Sequence, residues 1–210
     1  MSELVKMSRV FIIESPSFID IINNRKEGEA LGKTLDLANI KNETFAVSDR
    51  KTLNISFERI IKSVEFIKGE LGGIHLHFSM HGSKDGLALS DKSFIEWAEF
   101  YGFIKAFNDS IGYIKLPSGL KIAPTYLIFS VCDGFEARRI KDFGEESPYT
   151  GLIGPIQPVE WSDSLLAFSI FYHNTIIKKL GVKIAIQNMN KSVGLDNVFQ
   201  ADPGKGMIIK

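Results

Sequence analysis

Two residues have side chains that could together cleave an acyl bond. They are His81, which Gly82 follows, and Cys132, the single cysteine of the chain. A cysteine attacks as its thiolate, and a nearby imidazole can take up the thiol proton. The two residues are 51 positions apart, so the fold must bring them together. It must also supply hydrogen-bond donors for the oxyanion that forms when the sulfur attacks a carbonyl.

Both residues directly follow predicted strands. The apolar segments 74–80 and 126–131 are typical of buried strands, and His81 and Cys132 are the next residues along the chain. The carboxyl ends of parallel strands meet at one edge of a sheet, where α/β proteins bind their ligands. We therefore expect the two side chains to lie close together at that edge.

Strand-like and helix-like segments alternate along the chain, which predicts an α/β layered fold with a mainly parallel sheet. No repeat or linker divides the 210 residues, a length that suits one domain with a sizeable core. The alternation of Val182, Ile184 and Ile186 predicts a sixth strand. The other predicted strands are 9–13, 44–47, 74–80, 126–131 and 150–153, and the predicted helices cover 19–37, 60–71, 94–101, 135–141 and 164–180.

Two segments resemble the motifs of the caspase-like cysteine peptidases, in which one apolar strand ends in His-Gly and a later one ends in a small residue and Cys. They are LHFSMHGS at 76–83 and YLIFSVCDGF at 126–135. The separation is similar too, since caspases carry the His about 50 residues before the Cys. The resemblance covers residues 8–190 and implies a three-layer αβα sandwich with a mainly parallel six-stranded sheet. It implies one peptidase domain over 1–210, with a polar tail at 191–210.

The resemblance also implies a role for each matching residue. Cys132 would be the nucleophile, His81 the general acid and base, and the backbone N–H groups of Gly82 and Cys132 the oxyanion hole. No cofactor is required. The substrates would be proteins or peptides. Bacterial members of this superfamily act as regulated effectors, for instance in anti-phage defence, and an activating partner protein or domain switches them on.

The residues around Cys132 differ from those of two branches of the superfamily. Animal caspases have Gln-Ala-Cys-Xaa-Gly, whereas this chain has Ser130-Val131-Cys132-Asp133-Gly134. Metacaspases have Asp at the place of Ser130, where it helps to bind a basic substrate side chain. The sequence is therefore most similar to compact prokaryotic caspase-like or CHAT-like proteases.

Two candidates of opposite charge leave the preferred substrate residue open. Arg25, after the first strand, would suit an acidic side chain, whereas Asp163, beside Trp161, would suit a basic one. Asp163 could equally cap the helix that follows it. Trp161 and Asp163 are accordingly candidates for the rim of a substrate pocket.

Two alternatives to a cysteine peptidase remain open. His75, His77 and His81 share the parity of one strand, and imidazoles on one face could bind a metal ion. Their spacing is similar to the H-x-H-x-D-H motif of metallo-β-lactamase-like hydrolases, although Met80 stands where that motif has Asp. A His-ligated metal-dependent hydrolase is one alternative. A catalytically inactive caspase-like interaction module, with Cys132 as a small core residue, is the other.

Composition limits the partners and the compartment that we expect. The 25 basic and 25 acidic residues cancel, so we expect neither direct nucleic-acid binding nor membrane-surface binding. One cysteine excludes a disulfide scaffold and suits a reducing compartment. No signal peptide is visible, and no apolar run approaches the about 20 residues that span a bilayer. We therefore expect a cytoplasmic protein.

Overall fold

A computed structural model describes residues 7–66 and 71–205. This part of the chain contains ten strands and six α-helices, together with a 3-10 helix and one π-helical turn. In chain order they are β1 (Met7–Ser15), α1 (Phe18–Ile22), α2 (Glu27–Leu37), β2 (Asn42–Ala46), α3 (Arg50–Phe66), β3 (Leu71–Ser83), β4 (Gly86–Ala88), β5 (Phe94–Glu96), α4 (Trp97–Ile111), β6 (Ile114–Lys115), β7 (Lys121–Ile122), β8 (Thr125–Ser130), the 3-10 helix (Gly134–Asp142), β9 (Gly151–Pro155), α5 (Trp161–Tyr172), the π-helical turn (His173–Ile177), α6 (Val182–Ser192) and β10 (Phe199–Pro203).

The main sheet has the strand order β10-β9-β8-β3-β1-β2. Its first five strands along the chain, β1, β2, β3, β8 and β9, run parallel, and β10 joins the edge antiparallel to β9. β4 and β5 extend the end of β3 as an antiparallel hairpin, and β6 and β7 form a separate ribbon. The predicted α/β fold with a mainly parallel sheet of six main strands is confirmed.

The side chains of the central strands alternate between two apolar cores. In β1, Phe11 and Ile13 pack in the core under α3 and α4, while Val10 and Ile12 pack in the core under α2, α5 and α6. All four are fully buried. Burial on both faces explains the near-continuous apolar runs of these strands. The helices on the two faces complete the three layers.

The predicted sixth strand at 182–186 is wrong, because this segment is the start of helix α6. Ile184 is 48% exposed, whereas Ala185 and Met189, four residues apart, are fully buried, which is the period of a helix. The sixth strand is β10 instead, within the segment expected to be a polar tail. The Asn190 side chain holds it by accepting from the Phe199 N–H and donating to the Phe199 C=O, both at 2.9 Å.

Several predicted boundaries also shift. The helix expected at 19–37 is divided into α1 and α2. The helix expected at 60–71 ends with α3 at Phe66, and Leu71 already belongs to β3. Ile67, which was expected on the apolar face of that helix, lies outside the described residues. Asp163 does not cap α5, which begins at Trp161 after Glu160.

Within the described ranges, no helix combines the length and the apolar character needed to cross a bilayer.

Candidate active site

The pairing of β3 with β8 brings His81 and Cys132 to one place. Ser79 of β3 lies opposite Ser130 of β8 in a parallel register. His81 lies two residues further along β3, and Cys132 lies two residues after Ser130, in the turn that follows β8. Both line a cavity of about 230 Å³ at the carboxyl edge of the strands. Cys132 is half-buried, and 45% of the His81 side chain is exposed, so a substrate could reach both.

A third residue, Asp20 of α1, completes the group. The Nε2 atom of His81 lies 2.6 Å from Oδ2 of Asp20, whose side chain is only 6% exposed. The carboxylate is held in turn by a capping box at the start of α1. The Ser17 backbone N–H and hydroxyl both donate to Oδ2 of Asp20, and the Ser17 hydroxyl accepts from the Asp20 backbone N–H.

The surroundings of Asp20 keep its carboxylate charged. Burial would raise its pKa, but the hydrogen bonds from Ser17 and His81 and the attraction of His81 outweigh burial and lower the pKa from its ordinary value of 3.8. A charged carboxylate accepts the Nε2–H of His81 and so fixes that tautomer. The Nδ1 atom is then the ring nitrogen that is left free to accept a proton.

Sequence reasoning missed Asp20. The only local signal was the pattern Ser17-Phe18-Ile19-Asp20 just after β1, which reads as a helix start. Its contact with His81 spans 61 residues. The contact arises because β1 and β3 are neighbouring parallel strands whose carboxyl ends lie at the same edge.

Two glycines allow the strand ends to take their positions. A Cβ on Gly82 would collide with the Val131 side chain and lie 2.8 Å from the carbonyl oxygen of Gly86. A Cβ on Gly134 would lie 2.6 Å from Cβ of Phe129. Asp133 between Cys132 and Gly134 has a left-handed φ of 56°. The chain therefore turns sharply after Cys132, and the 3-10 helix begins at once.

Helix α5 forms the opposite wall of the cavity. The Trp161 ring meets the His81 ring edge to face, with centroids 5.4 Å apart. Below it, the hydroxyls of Ser164 and Ser130 are 2.6 Å apart and buried, which ties α5 to β8. Trp161 therefore lies on the cavity wall.

The two candidates for substrate charge are placed differently. Arg25 lines the cavity, whereas Asp163 is not among its lining residues. The carboxylate on the α5 side of the cavity belongs to Glu160, the exposed residue just before α5. The cavity thus carries one cation and one anion besides the Asp20–His81 pair.

The other two histidines of β3 lie in the interior. His77 is fully buried, with Nδ1 3.0 Å from the Tyr172 hydroxyl. His75 stacks on Tyr126, and burial lowers its pKa to about 4. In residues 7–66 and 71–205, no group of three His, Cys, Asp or Glu side chains has the geometry to hold a metal ion. The predicted alternative of a His-ligated metal site has no ligand set in that part of the chain.

The fold is similar to that of a solved protease. The chain superposes on a secreted C11 cysteine protease from Bacteroides thetaiotaomicron, whose structure holds an irreversible peptide inhibitor, with a TM-score of 0.54 and 7% identity. The match covers 89% of this chain and 58% of that protease. No protein-family profile and no curated protein sequence matches the chain. At this identity the likeness shows a shared caspase-like fold.

Proposed function

We propose that this chain is a cysteine endopeptidase that hydrolyses peptide bonds in protein substrates. Cys132 is the nucleophile, His81 is the general acid and base, and Asp20 positions His81. One observation carries the proposal: the His81 imidazole, oriented by a buried carboxylate at 2.6 Å, lines the same small cavity as Cys132. The shared fold with a C11 cysteine protease supports it.

The reaction begins with proton transfer from the Cys132 thiol to Nδ1 of His81. The thiolate attacks the peptide carbonyl, and the backbone N–H groups of Gly82 and Cys132 donate to the oxyanion. His81 then gives its proton to the leaving amine, and a thioester remains on Cys132. Water, deprotonated by His81, hydrolyses the thioester and regenerates the thiol.

Asp20 contributes through His81 and does not touch the substrate. It accepts the Nε2–H, which selects the tautomer whose Nδ1 can act as a base. Its negative charge also stabilises the imidazolium that forms when His81 takes the thiol proton. The capping box with Ser17 keeps the carboxylate from rotating away.

We further propose that a partner protein or domain activates this peptidase. Support comes from α1, the helix that carries Asp20: its Phe18, Ile19 and Ile22 side chains are 60–68% exposed. A partner that buries this apolar surface would fix α1 and with it the Asp20–His81 pair. The resemblance to prokaryotic caspase-like and CHAT-like proteases suggests a regulated effector, with anti-phage defence as one such role. A cytoplasmic setting suits the free thiol of Cys132.

The test is cleavage of a proteome-derived peptide library, read by mass spectrometry. It is run with and without a lysate of the source organism, which would supply the activating partner. We expect cleavage that is lost in Cys132→Ala and His81→Ala and kept in His173→Ala, a matched change at an exposed histidine far from the cavity. Cleavage that persists in Cys132→Ala, or none by the wild type under either condition, contradicts the proposal. The library also reports whether acidic residues, which Arg25 would suit, precede the cleaved bond.

A further inference from the structure

A second cavity, of about 450 Å³, lies at the opposite edge of the main sheet. One side is a row of residues paired across four strands: His75 in β3, Tyr126 in β8, Gly151 in β9 and Pro203 in β10. The last turn of α5, the π-helical turn and the start of α6 form the other side. We call this space the distal cleft. It shares no lining residue with the cavity of Cys132 and His81.

A stacked aromatic pair lines the distal cleft. The rings of His75 and Tyr126 lie 5.0 Å apart at an angle of 18°. The absent side chain of Gly151 leaves room for the Tyr126 ring, since a Cβ there would lie 3.2 Å from two of its ring carbons. Both residues line the cleft, so a ligand ring there can contact this aromatic pair.

Polar atoms of this pair lack partners. His75 is only 6% exposed, and its buried Nδ1 has no hydrogen bond within the described part of the chain. No hydrogen bond joins the Tyr126 hydroxyl to another described residue either. The Tyr126 hydroxyl is not among the buried unpartnered atoms and is the group that a ligand in the cleft could satisfy, whereas Nδ1 of His75 has almost no accessible surface.

Among the described residues that line the distal cleft, none offers a free charge. Asp202 is the carboxylate among its lining residues, and Lys141 binds both of its oxygens at 2.8 Å. Burial keeps the His75 imidazole neutral near pH 7. A charged ligand would lose its hydration without gaining a counter-charge. The rest of the lining is largely apolar and includes Leu152, Ile153, Phe171, Ile176, Leu180 and Val182.

The cleft has the dimensions and the local backbone of a ligand site. Its volume falls within the range of about 300–1,000 Å³ that is usual for small-molecule pockets. Thr175 and Ile176 of its wall belong to the π-helical turn that follows α5. Such turns are frequent at functional sites.

We propose that the distal cleft binds a small, uncharged compound with a flat ring and one hydrogen-bonding group. The ring would pack against the His75–Tyr126 pair, and its polar group would meet the Tyr126 hydroxyl. This inference is independent of the proposed peptidase activity, since it uses none of the residues of that site.

The experiment is a protein-observed NMR titration of the full chain with indole. Benzoate, which is flat but charged, and cyclohexanol, which is uncharged but not flat, are the matched probes. We expect saturable shifts with indole at His75 and Tyr126, and much weaker binding of the other two. Ala201→Phe should fill the cleft and abolish the shifts, while Ile184→Phe, at an exposed position of α6, should leave them. Tyr126→Leu should weaken binding about tenfold, the equivalent of one lost stacking contact.

Alkylation of Cys132 should leave indole binding unchanged, which separates this cleft from the catalytic cavity. If circular dichroism shows that Ala201→Phe is unfolded, Leu180→Trp blocks the cleft from its loop side instead. The proposal is overturned if indole gives no saturable shifts, if benzoate binds equally well, or if folded blocking variants bind indole like the wild type.

Discussion

Nε2 of His81 lies 2.6 Å from Oδ2 of Asp20, and this contact links the end of β3 to the short helix after β1. It orients the imidazole of a half-exposed histidine through a carboxylate that is itself almost fully buried. Because Ser17 fixes that carboxylate from the other side, the orientation of His81 depends on the local structure of α1.

Replacing Asp20 by Asn should therefore impair catalysis more than binding. Asn can present its N–H₂ to His81 and stabilise the wrong tautomer, and it carries no charge to balance the imidazolium. We expect kcat to fall by about 10²- to 10⁴-fold, with KM little changed. Steady-state kinetics on a library-derived peptide would measure this. Ser17→Ala keeps the carboxylate and is the milder control, expected to cost about 1 kcal/mol of stability. Equal kcat in wild type and Asp20→Asn would remove Asp20 from the mechanism.

The same carboxylate should give the protein a pH-dependent stability. The hydrogen bonds from Ser17 and His81 outweigh burial and lower the pKa of Asp20 in the folded state. Because the pKa of Asp20 is lower in the folded state, its ionised carboxylate stabilises the fold at pH values above its unfolded-state pKa. This stabilisation is lost as the pH falls through its folded-state pKa. Urea unfolding should show the wild type to be more stable than Asp20→Asn near pH 6. The difference between their free energies of unfolding should become smaller below about pH 4. A difference that stays constant across the acid range would contradict this linkage.

The placement of His81 and Cys132 at one cavity could be predicted from the sequence, whereas the contact of His81 with Asp20 could not. His81 and Cys132 each end an apolar run, and the ends of neighbouring parallel strands must meet at one edge. Asp20 follows no such rule. Its partner is set by how the chain leaves β1, and the sequence shows only a helix cap at that point.

Gly134 should tolerate no side chain, because it closes the turn that exposes Cys132. A Cβ there would lie 2.6 Å from Cβ of Phe129, whose main chain is fixed in β8. Gly134→Ala should lower the free energy of unfolding by about 1–3 kcal/mol. Gly102→Ala in α4 is the matched control, since its Cβ meets no atom within 4 Å. It should raise the free energy of unfolding by up to about 1 kcal/mol. Equal effects of the two changes in urea unfolding would refute this account of the turn.

Buried His75 should make the protein sensitive to mild acid. Burial lowers its pKa to about 4 in the folded state, from an ordinary 6.5. Between these two pH values the unfolded chain binds a proton at His75 and the folded chain does not. The free energy of unfolding therefore falls as the pH drops from 6.5 towards 4. His75 alone should lower the free energy of unfolding by about 2 kcal/mol between pH 7 and pH 5. His75→Phe should flatten that part of the urea-unfolding profile, while His173→Phe at an exposed site should not. Parallel profiles for the wild type and His75→Phe would exclude this role.

The far edge of the sheet shows where sequence patterns mislead. Val182, Ile184 and Ile186 alternate like a strand, but the segment packs as a helix on Ala185 and Met189. In β10, Phe199 and Ala201 alternate with Gln200 and Asp202, but a pattern of five residues within a polar segment is too short to predict a strand by itself. The strand forms because β9 offers a free edge and the Asn190 side chain pairs with the backbone of Phe199. In both α6 and β10, tertiary contacts determine the secondary structure.

The most direct test of the central claim, that His81 activates Cys132, is the rate of alkylation of Cys132 by iodoacetamide at neutral pH. It needs no substrate and no activator, and intact mass reports the single thiol without ambiguity. We expect the wild type to react at least about tenfold faster than His81→Ala and faster than the urea-unfolded chain, with His173→Ala like the wild type. Equal rates for the wild type, His81→Ala and the unfolded chain would mean that His81 does not act on Cys132.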